Sequence, residues 1–344
     1  MGIAEIYTVR QEDQRSGVSV GEFVAAPSLK KIREDQMTVL DRRAFMAATA
    51  VSVATPTALG AKECPTMDWI TMSLEARNLA YNNVEHIGPD NARKKTEAWA
   101  SASKMLREQR SKHLDLAYGK GERNKWDLYP ANDPKAPCFV HIHGGYWQRG
   151  SKEIFACLSE GPLANGWSAA LCGYTLAPEA TLTQITNELK SAFDWLNANA
   201  GKHDIQGPII VTGWSAGGHL TSFILDHPKV AAGLAISGVF DLGALRDSPH
   251  VNEKVKLSEE EIQKLSPMRR PLVNKPLGIA YGTGELPAMI ASSRDYHAYR
   301  SKGHASGDLI PIANTNHFTI LDELRQPNST LTRAVITMAQ YQTA

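Results

Sequence analysis

Ser215, His317, Glu285 and the segment His143-Gly144-Gly145-Tyr146-Trp147 are the residues whose types and spacing suit nucleophilic acyl transfer. Ser215 is the centre of Gly213-Trp214-Ser215-Ala216-Gly217, with an apolar β-type run at 208–212 before it and a helix-type run at 219–225 after it. A serine on so tight a strand-to-helix turn has neighbours pressed close on both sides. Gly213 and Gly217 remove the Cβ atoms that would clash there. The N–H of Ala216 then falls at a helix start, where backbone donors are free and the helix dipole favours negative charge. An acyl-transfer site needs such donors, because the carbonyl oxygen of the substrate becomes an oxyanion. Removing one donor costs about 10²–10³ in rate. The glycines of the segment 144–146 let the main chain approach that oxygen. Gly144, Gly145 and Tyr146 are therefore the expected partners of Ala216 in an oxyanion hole, with the N–H groups of Gly145 and Tyr146 foremost.

The serine also needs a base and the base an orienting acid, in the chain order serine, acid, histidine. Thr315-Asn316-His317-Phe318 directly follows the last strand-type run, which selects His317 as the base. His219 lies one helical turn after the serine and packs on that helix, His141 sits within a strand, and His297 and His304 lie in or after a helix. His143 is expected to anchor its loop. For the acid, Tyr281-Gly282-Thr283-Gly284-Glu285 ends the penultimate strand and offers Glu285, with Asp241 of Ser237-Gly238-Val239-Phe240-Asp241-Leu242 as the rival and Glu179 as a structural carboxylate. Tyr146, Trp147 and Trp214 are expected to supply an aromatic-lined substrate pocket.

The elements that must position these residues alternate. Strands are predicted at 138–142, 167–174, 208–212, 231–237, 277–281 and 309–313. Helices are predicted at 153–164, around 182–196, after Ser215, at 287–302 and around 331–338, with a capping box at Ser258-Glu259-Glu260-Glu261 opening a short helix. Such alternation predicts a mostly parallel central sheet with helices on both faces and catalytic residues at the carboxyl ends of its strands. Residues 114–118 and 125–129 read as short extended segments. Helical spacing over 73–109, broken at Gly88-Pro89-Asp90, predicts two helices over one end of the sheet. Without an internal repeat or low-complexity linker, residues 62–344 read as one catalytic domain.

The formal net charge of +1 over 344 residues, with charges dispersed, speaks against nucleic acid as a partner, and 42% hydrophobic residues allow a sizeable core. No apolar run reaches the ~20 residues of a membrane span. Cys64, Cys138, Cys157 and Cys172 lack metal-ligand spacing and are expected to be mostly buried thiols, so neither a metal nor a cofactor is expected. Residues 1–61 read as a leader. Within 37–61, Arg42-Arg43, Phe45 and the small apolar run at 47–61 resemble a twin-arginine export signal, cut after Gly60 or Ala61, with Met37 as a natural start. Periplasmic export is the expectation, a cytoplasmic location the alternative.

Taken together, HGGYWQRGSKE, GYTLAPEATLTQ, GWSAGGHL, SGVFDL and NHF resemble the kynurenine formamidase (arylformamidase) group of the α/β-hydrolases, from about residue 73 to the C-terminus. The resemblance implies the α/β-hydrolase fold, Ser215 as nucleophile, Glu285 as acid, His317 as base and the HGGYW loop as oxyanion hole. Two positions depart from the group's pattern: Glu285 stands where Asp is usual, and Trp214 where His is frequent. The expected activity is that of a serine hydrolase of small, aromatic esters or amides. An arylformamidase acting on N-formylkynurenine is the alternative within that class, and a non-catalytic binding protein on a hydrolase scaffold is the alternative outside it.

Overall fold

A computed structural model describes residues 71–340. Eight strands form one sheet: β1 (Leu116–Ala117), β2 (Lys125–Tyr129), β3 (Cys138–Ile142), β4 (Ser168–Cys172), β5 (Ile209–Trp214), β6 (Val230–Ile236), β7 (Leu277–Gly282) and β8 (Leu309–Ile312). Their order is β1-β2-β4-β3-β5-β6-β7-β8. β2 pairs antiparallel with β1 on one side and β4 on the other, and all other pairings are parallel. β3, β4, β5 and β7 are buried along their whole length, which explains why they read as continuous apolar runs rather than alternating ones.

Eleven α-helical segments accompany the sheet in the described residues: α1 (Leu74–Ala80), α2 (Asn83–Ile87), α3 (Pro89–Gln109), α4 (Lys152–Phe155), α5 (Glu160–Ala164), α6 (Leu182–Asn199), α7 (Ala216–Ile224), α8 (Pro249–Val255), α9 (Glu259–Leu265), α10 (Pro287–Lys302) and α11 (Thr330–Gln340). The alternation of side chains along each strand divides the core in two. Cys138, Val140 and Ile142 of β3 pack with Leu189 and Phe193 of α6 and Leu220 of α7, whereas Phe139 packs with Trp99 of α3 and Leu331 and Val335 of α11. Cys138, Cys157 and Cys172 are buried free thiols.

Two expectations are corrected. The single helix predicted over 153–164 is broken into α4, a 3-10 turn at Ala156–Ser159, and α5. Ser103 of α3 causes the break: its Oγ donates to the Ile154 carbonyl at 2.8 Å and accepts the Cys157 N–H at 2.9 Å, so those two groups leave the helical ladder. The segment 73–109 forms three helices rather than two, because the side chain of Asn82 accepts the Glu85 N–H at 3.2 Å and starts α2 with a cap of its own. Residues 1–61, read from the sequence as a leader with an export signal, lie outside the described residues.

Candidate active site

Where β5 passes into α7, Ser215 has φ 58° and ψ −118°, a left-handed conformation that a side chain enters only under constraint. A Cβ on Gly217 would press into the Ile142 carbonyl at the end of β3, and one on Gly213 into the Gly217 backbone. The serine is fixed by its own main chain: its N–H donates to the Ile236 carbonyl at 2.8 Å, and its carbonyl accepts the His219 N–H at 3.1 Å as the first bond of α7.

After β7 the chain turns at Gly282–Glu285, and Glu285 Oε2 accepts from His317 Nδ1 at 2.9 Å. Both side chains are almost fully buried, 0% exposed for Glu285 and 2% for His317. With Nδ1 holding the carboxylate, Nε2 is the ring atom left to take up a proton. The other carboxylate oxygen, Oε1, accepts from the Ser237 hydroxyl and from the Gly282 N–H, each at 2.6 Å. The loop carrying His317 is held from two sides. Asn316 Oδ1 accepts the Phe318 and Thr319 N–H groups at 3.0 and 2.9 Å. Trp214 Nε1 donates to the His317 carbonyl at 2.7 Å, with the indole 4.8 Å from the imidazole.

The competing residues are placed elsewhere. Asp241 pairs with Arg269 at 2.9 Å and accepts the Gly243 N–H at 2.9 Å, and Glu179 is exposed. Burial holds His219 at a pKa of about 4, with Nε2 on the Leu265 carbonyl at 2.9 Å. His141 is pushed down to about 3 by burial and pairs with Thr212 at 3.0 Å, and His297 meets the Gly307 carbonyl at 3.2 Å.

The loop at 143–150 wraps over the serine. A Cβ on Gly144 would lie 2.5 Å from the Trp214 carbonyl, 2.6 Å from its Cε3 and 3.2 Å from Ser215 Cβ, so only glycine allows this approach. Gly145, Tyr146 and Trp147 follow with φ 116°, 54° and 58°, a run of left-handed residues closed by Gln148 and Arg149 N–H bonds to the Gly145 carbonyl at 3.0 and 3.1 Å. Among the described residues the N–H groups of Gly145, Tyr146 and Ala216 have no acceptor, as donors awaiting an oxyanion require. His143 is stacked between Tyr174 at 4.3 Å and Phe155 at 6.1 Å, and its Nδ1 donates to the Gly144 carbonyl at 2.9 Å. Burial keeps its pKa near 4, so it stays neutral and serves as an anchor. The Tyr146 hydroxyl donates to the Tyr81 carbonyl at 2.8 Å and accepts the Asn83 N–H at 3.1 Å, which ties the loop to α1 and α2.

Ser215 and His317 open into one cavity of about 410 Å³. Trp99, Phe155, Trp214 and Phe318 form its aromatic wall, and Tyr146 and Gly144 lie along it. Trp99, Ala92 and Asn83 come from α2 and α3, so the N-terminal helices build part of the site. No sequence motif marked them, although a tryptophan at a helical core position carried the signal. A larger cleft of about 540 Å³ between His86, Lys94 and Asn316 adjoins the site without reaching Ser215. Trp147 is corrected: it is 1% exposed, does not line the cavity, and packs edge-on against His219 at 5.2 Å within the α6–α7 core. Its left-handed backbone turns the indole beneath the loop rather than into the site. Among the described residues no group of three or more His, Cys, Asp or Glu side chains could hold a metal ion.

The BD-FAE family model matches residues 127–258, which include the loop at 143–150 and the turn at Ser215. The kynurenine formamidase of Danio rerio is 25% identical over 79% of this chain and 98% of its own length. That of Drosophila melanogaster is 28% identical over 63% of this chain and 78% of its own length. Among solved structures, a Silicibacter sp. TM1040 protein proposed to be a thioesterase superposes with a TM-score of 0.66 at 29% identity, covering 75% of this chain and 98% of that one. The chain has the α/β-hydrolase fold and is similar to the arylformamidases. An esterase of Pyrobaculum calidifontis has the same fold, with a TM-score of 0.58 at 17% identity over 79% of this chain and 100% of the other. This α/β-hydrolase is accordingly an enzyme that hydrolyses small ester or amide substrates.

Proposed function

We propose that Ser215 carries the acyl group of a small, preferably aromatic, ester or amide. His317 Nε2 takes the Ser215 hydroxyl proton as Oγ attacks the substrate carbonyl carbon. The carbonyl oxygen, now negative, is met by the N–H groups of Gly145, Tyr146 and, at the start of α7, Ala216. The C–O or C–N bond then breaks, and His317 returns its proton to the departing alcohol or amine. Water, deprotonated by the same imidazole, attacks the acyl-enzyme and frees Ser215. Glu285 holds the imidazole in the tautomer with Nδ1–H and stabilises the imidazolium as it forms. The observation that carries this reading is the 2.9 Å bond between Glu285 and His317, at the wall of the cavity that also holds Ser215.

Ester and amide hydrolysis share one acyl-enzyme, so preference within the class rests on the cavity. The aromatic wall of Trp99, Phe155, Trp214 and Phe318 favours a planar ring beside the scissile bond. Cleavage of N-formylkynurenine is the second reading, favoured by the kynurenine formamidases among the relatives. A panel of N-formylkynurenine, aryl amides and short aryl esters, compared by kcat/KM, tests both. The aromatic reading predicts that aryl substrates exceed alkyl ones, and equal rates would overturn it. We further propose periplasmic export through the signal at 37–61, which lies outside the described residues. Mass spectrometry of the native protein should find an N-terminus near residue 60; a product retaining Arg42-Arg43 would overturn this.

A further inference from the structure

The motif opened by Ser237 is not accounted for by the mechanism above, because its Asp241 stands aside with Arg269. Ser237 itself does not stand aside. It follows β6, is fully buried, and has φ 50°. Its N–H donates to the Ala280 carbonyl of β7 at 2.7 Å, and its hydroxyl donates to Glu285 Oε1 at 2.6 Å. Among the described residues that carboxylate is the hydroxyl's one partner. An ionised carboxylate can only accept, so the proton of this short bond belongs to the serine. We propose that Ser237 is a positioning residue for hydrolysis, acting through Glu285 on His317.

Three donors define the plane of the carboxylate. Ser237 and Gly282 hold Oε1 from β6 and β7, which leaves Oε2 directed at His317 Nδ1. A glutamate has one more rotatable bond than an aspartate, and its free head would sample orientations that lose the imidazole. The hydroxyl removes that freedom and compensates a buried negative charge, which would otherwise keep only Gly282 on that oxygen. The left-handed backbone of Ser237 is strain held at a position where glycine would be relaxed, and it is held with a hydroxyl in place.

The inference rests on the proposed role of Glu285, and the experiment separates the two. Ser237→Ala should lower kcat for p-nitrophenyl acetate by about 10- to 100-fold, the range spanned by a hydrogen bond to a charged group, with KM little changed. Ser237→Gly should lose as much kcat as Ser237→Ala while its melting temperature falls less, since glycine relieves the positive φ. A merely structural serine would not divide activity from stability in this way. In a Glu285→Gln background, Ser237→Ala should cost no more than about threefold further, because partners acting through one group are not additive. If Ser237→Ala and Ser237→Gly keep kcat within about twofold of the parent, or if the losses multiply in the double variant, the proposal is overturned. If Glu285→Gln is itself fully active, the role of Glu285 fails first.

Discussion

Replacing Glu285 by Gln removes one charge from a buried pair and leaves the shape intact. The pair is separated by 2.9 Å between Glu285 Oε2 and His317 Nδ1, with at most 2% of either side chain exposed. The imidazolium formed when Ser215 attacks therefore faces a carboxylate across about 4 Å between charge centres, worth ~4 kcal/mol at an effective dielectric constant near 20. That converts to about 10³ in rate, and the wrong tautomer offered by an amide brings the loss toward the ~10⁴ of other triads. Glu285→Asp keeps the charge but shortens the arm, so it cannot reach Nδ1 and keep its bonds to Ser237 and Gly282 together. A displacement of about 1 Å predicts a loss of ~10². Asp241→Asn is the control: its amide oxygen keeps the turn cap on the Gly243 N–H, and it loses only the charge of the partly exposed Arg269 pair, at most about 1 kcal/mol of stability, at unchanged kcat. Steady-state kcat and KM on p-nitrophenyl acetate, with folding checked by circular dichroism, decide the matter. A Glu285→Gln enzyme within tenfold of the parent kcat would refute the reasoning, as would a larger loss in Asp241→Asn.

Gly144→Ala should lower kcat by about 10² or more at nearly constant KM, because its Cβ meets Trp214 and Ser215 and shifts the donors that act on the transition state; stopped-flow kinetics showing parental kcat would contradict this. Trp214→Phe leaves the ring but removes the donor to the His317 carbonyl, so kcat should fall about tenfold, read from the same kinetics. His141, His143 and His219 are kept neutral by burial, with pKa values of about 3, 4 and 4 against 6.5 in an unfolded chain. Lowered histidine pKa values mean that the unfolded chain binds more protons below pH 6.5. Stability is thus fully present above that pH and falls towards pH 4, by up to ~1.4 kcal/mol per unit for each histidine. Urea midpoints at pH 7.5 and 5 should show the acid loss, and equal midpoints would contradict it.

Much of the fold was legible because the signals were local. Strands buried on both faces read as short apolar runs, and the tight turn around Ser215 required glycines at fixed offsets. Chain order after β7 and β8 directed attention to Glu285 and His317, which the structure brings together. What was not legible depends on contacts distant in sequence. Ser103 interrupts a helix fifty residues away through two hydrogen bonds that no propensity encodes. Trp147 sits in an aromatic motif, yet three successive left-handed residues decide which way its indole turns. Trp99 reads as a core position of α3, and only packing against Trp214 and Phe318 makes it a wall of the cavity. Ser237 looked like any serine after a strand until the Glu285 carboxylate lay beside it.

The central claim is that Ser215 is the nucleophile and that His317 activates it. A p-nitrophenyl alkylphosphonate mimics the tetrahedral intermediate and leaves a stable adduct on a serine so activated. Incubation followed by peptide mass spectrometry should find one phosphonyl group, on the peptide carrying Ser215, with one equivalent of p-nitrophenol released. The adduct should be absent from Ser215→Ala and strongly slowed in His317→Ala. Labelling at another residue, or labelling of Ser215 at an undiminished rate without His317, would contradict the account.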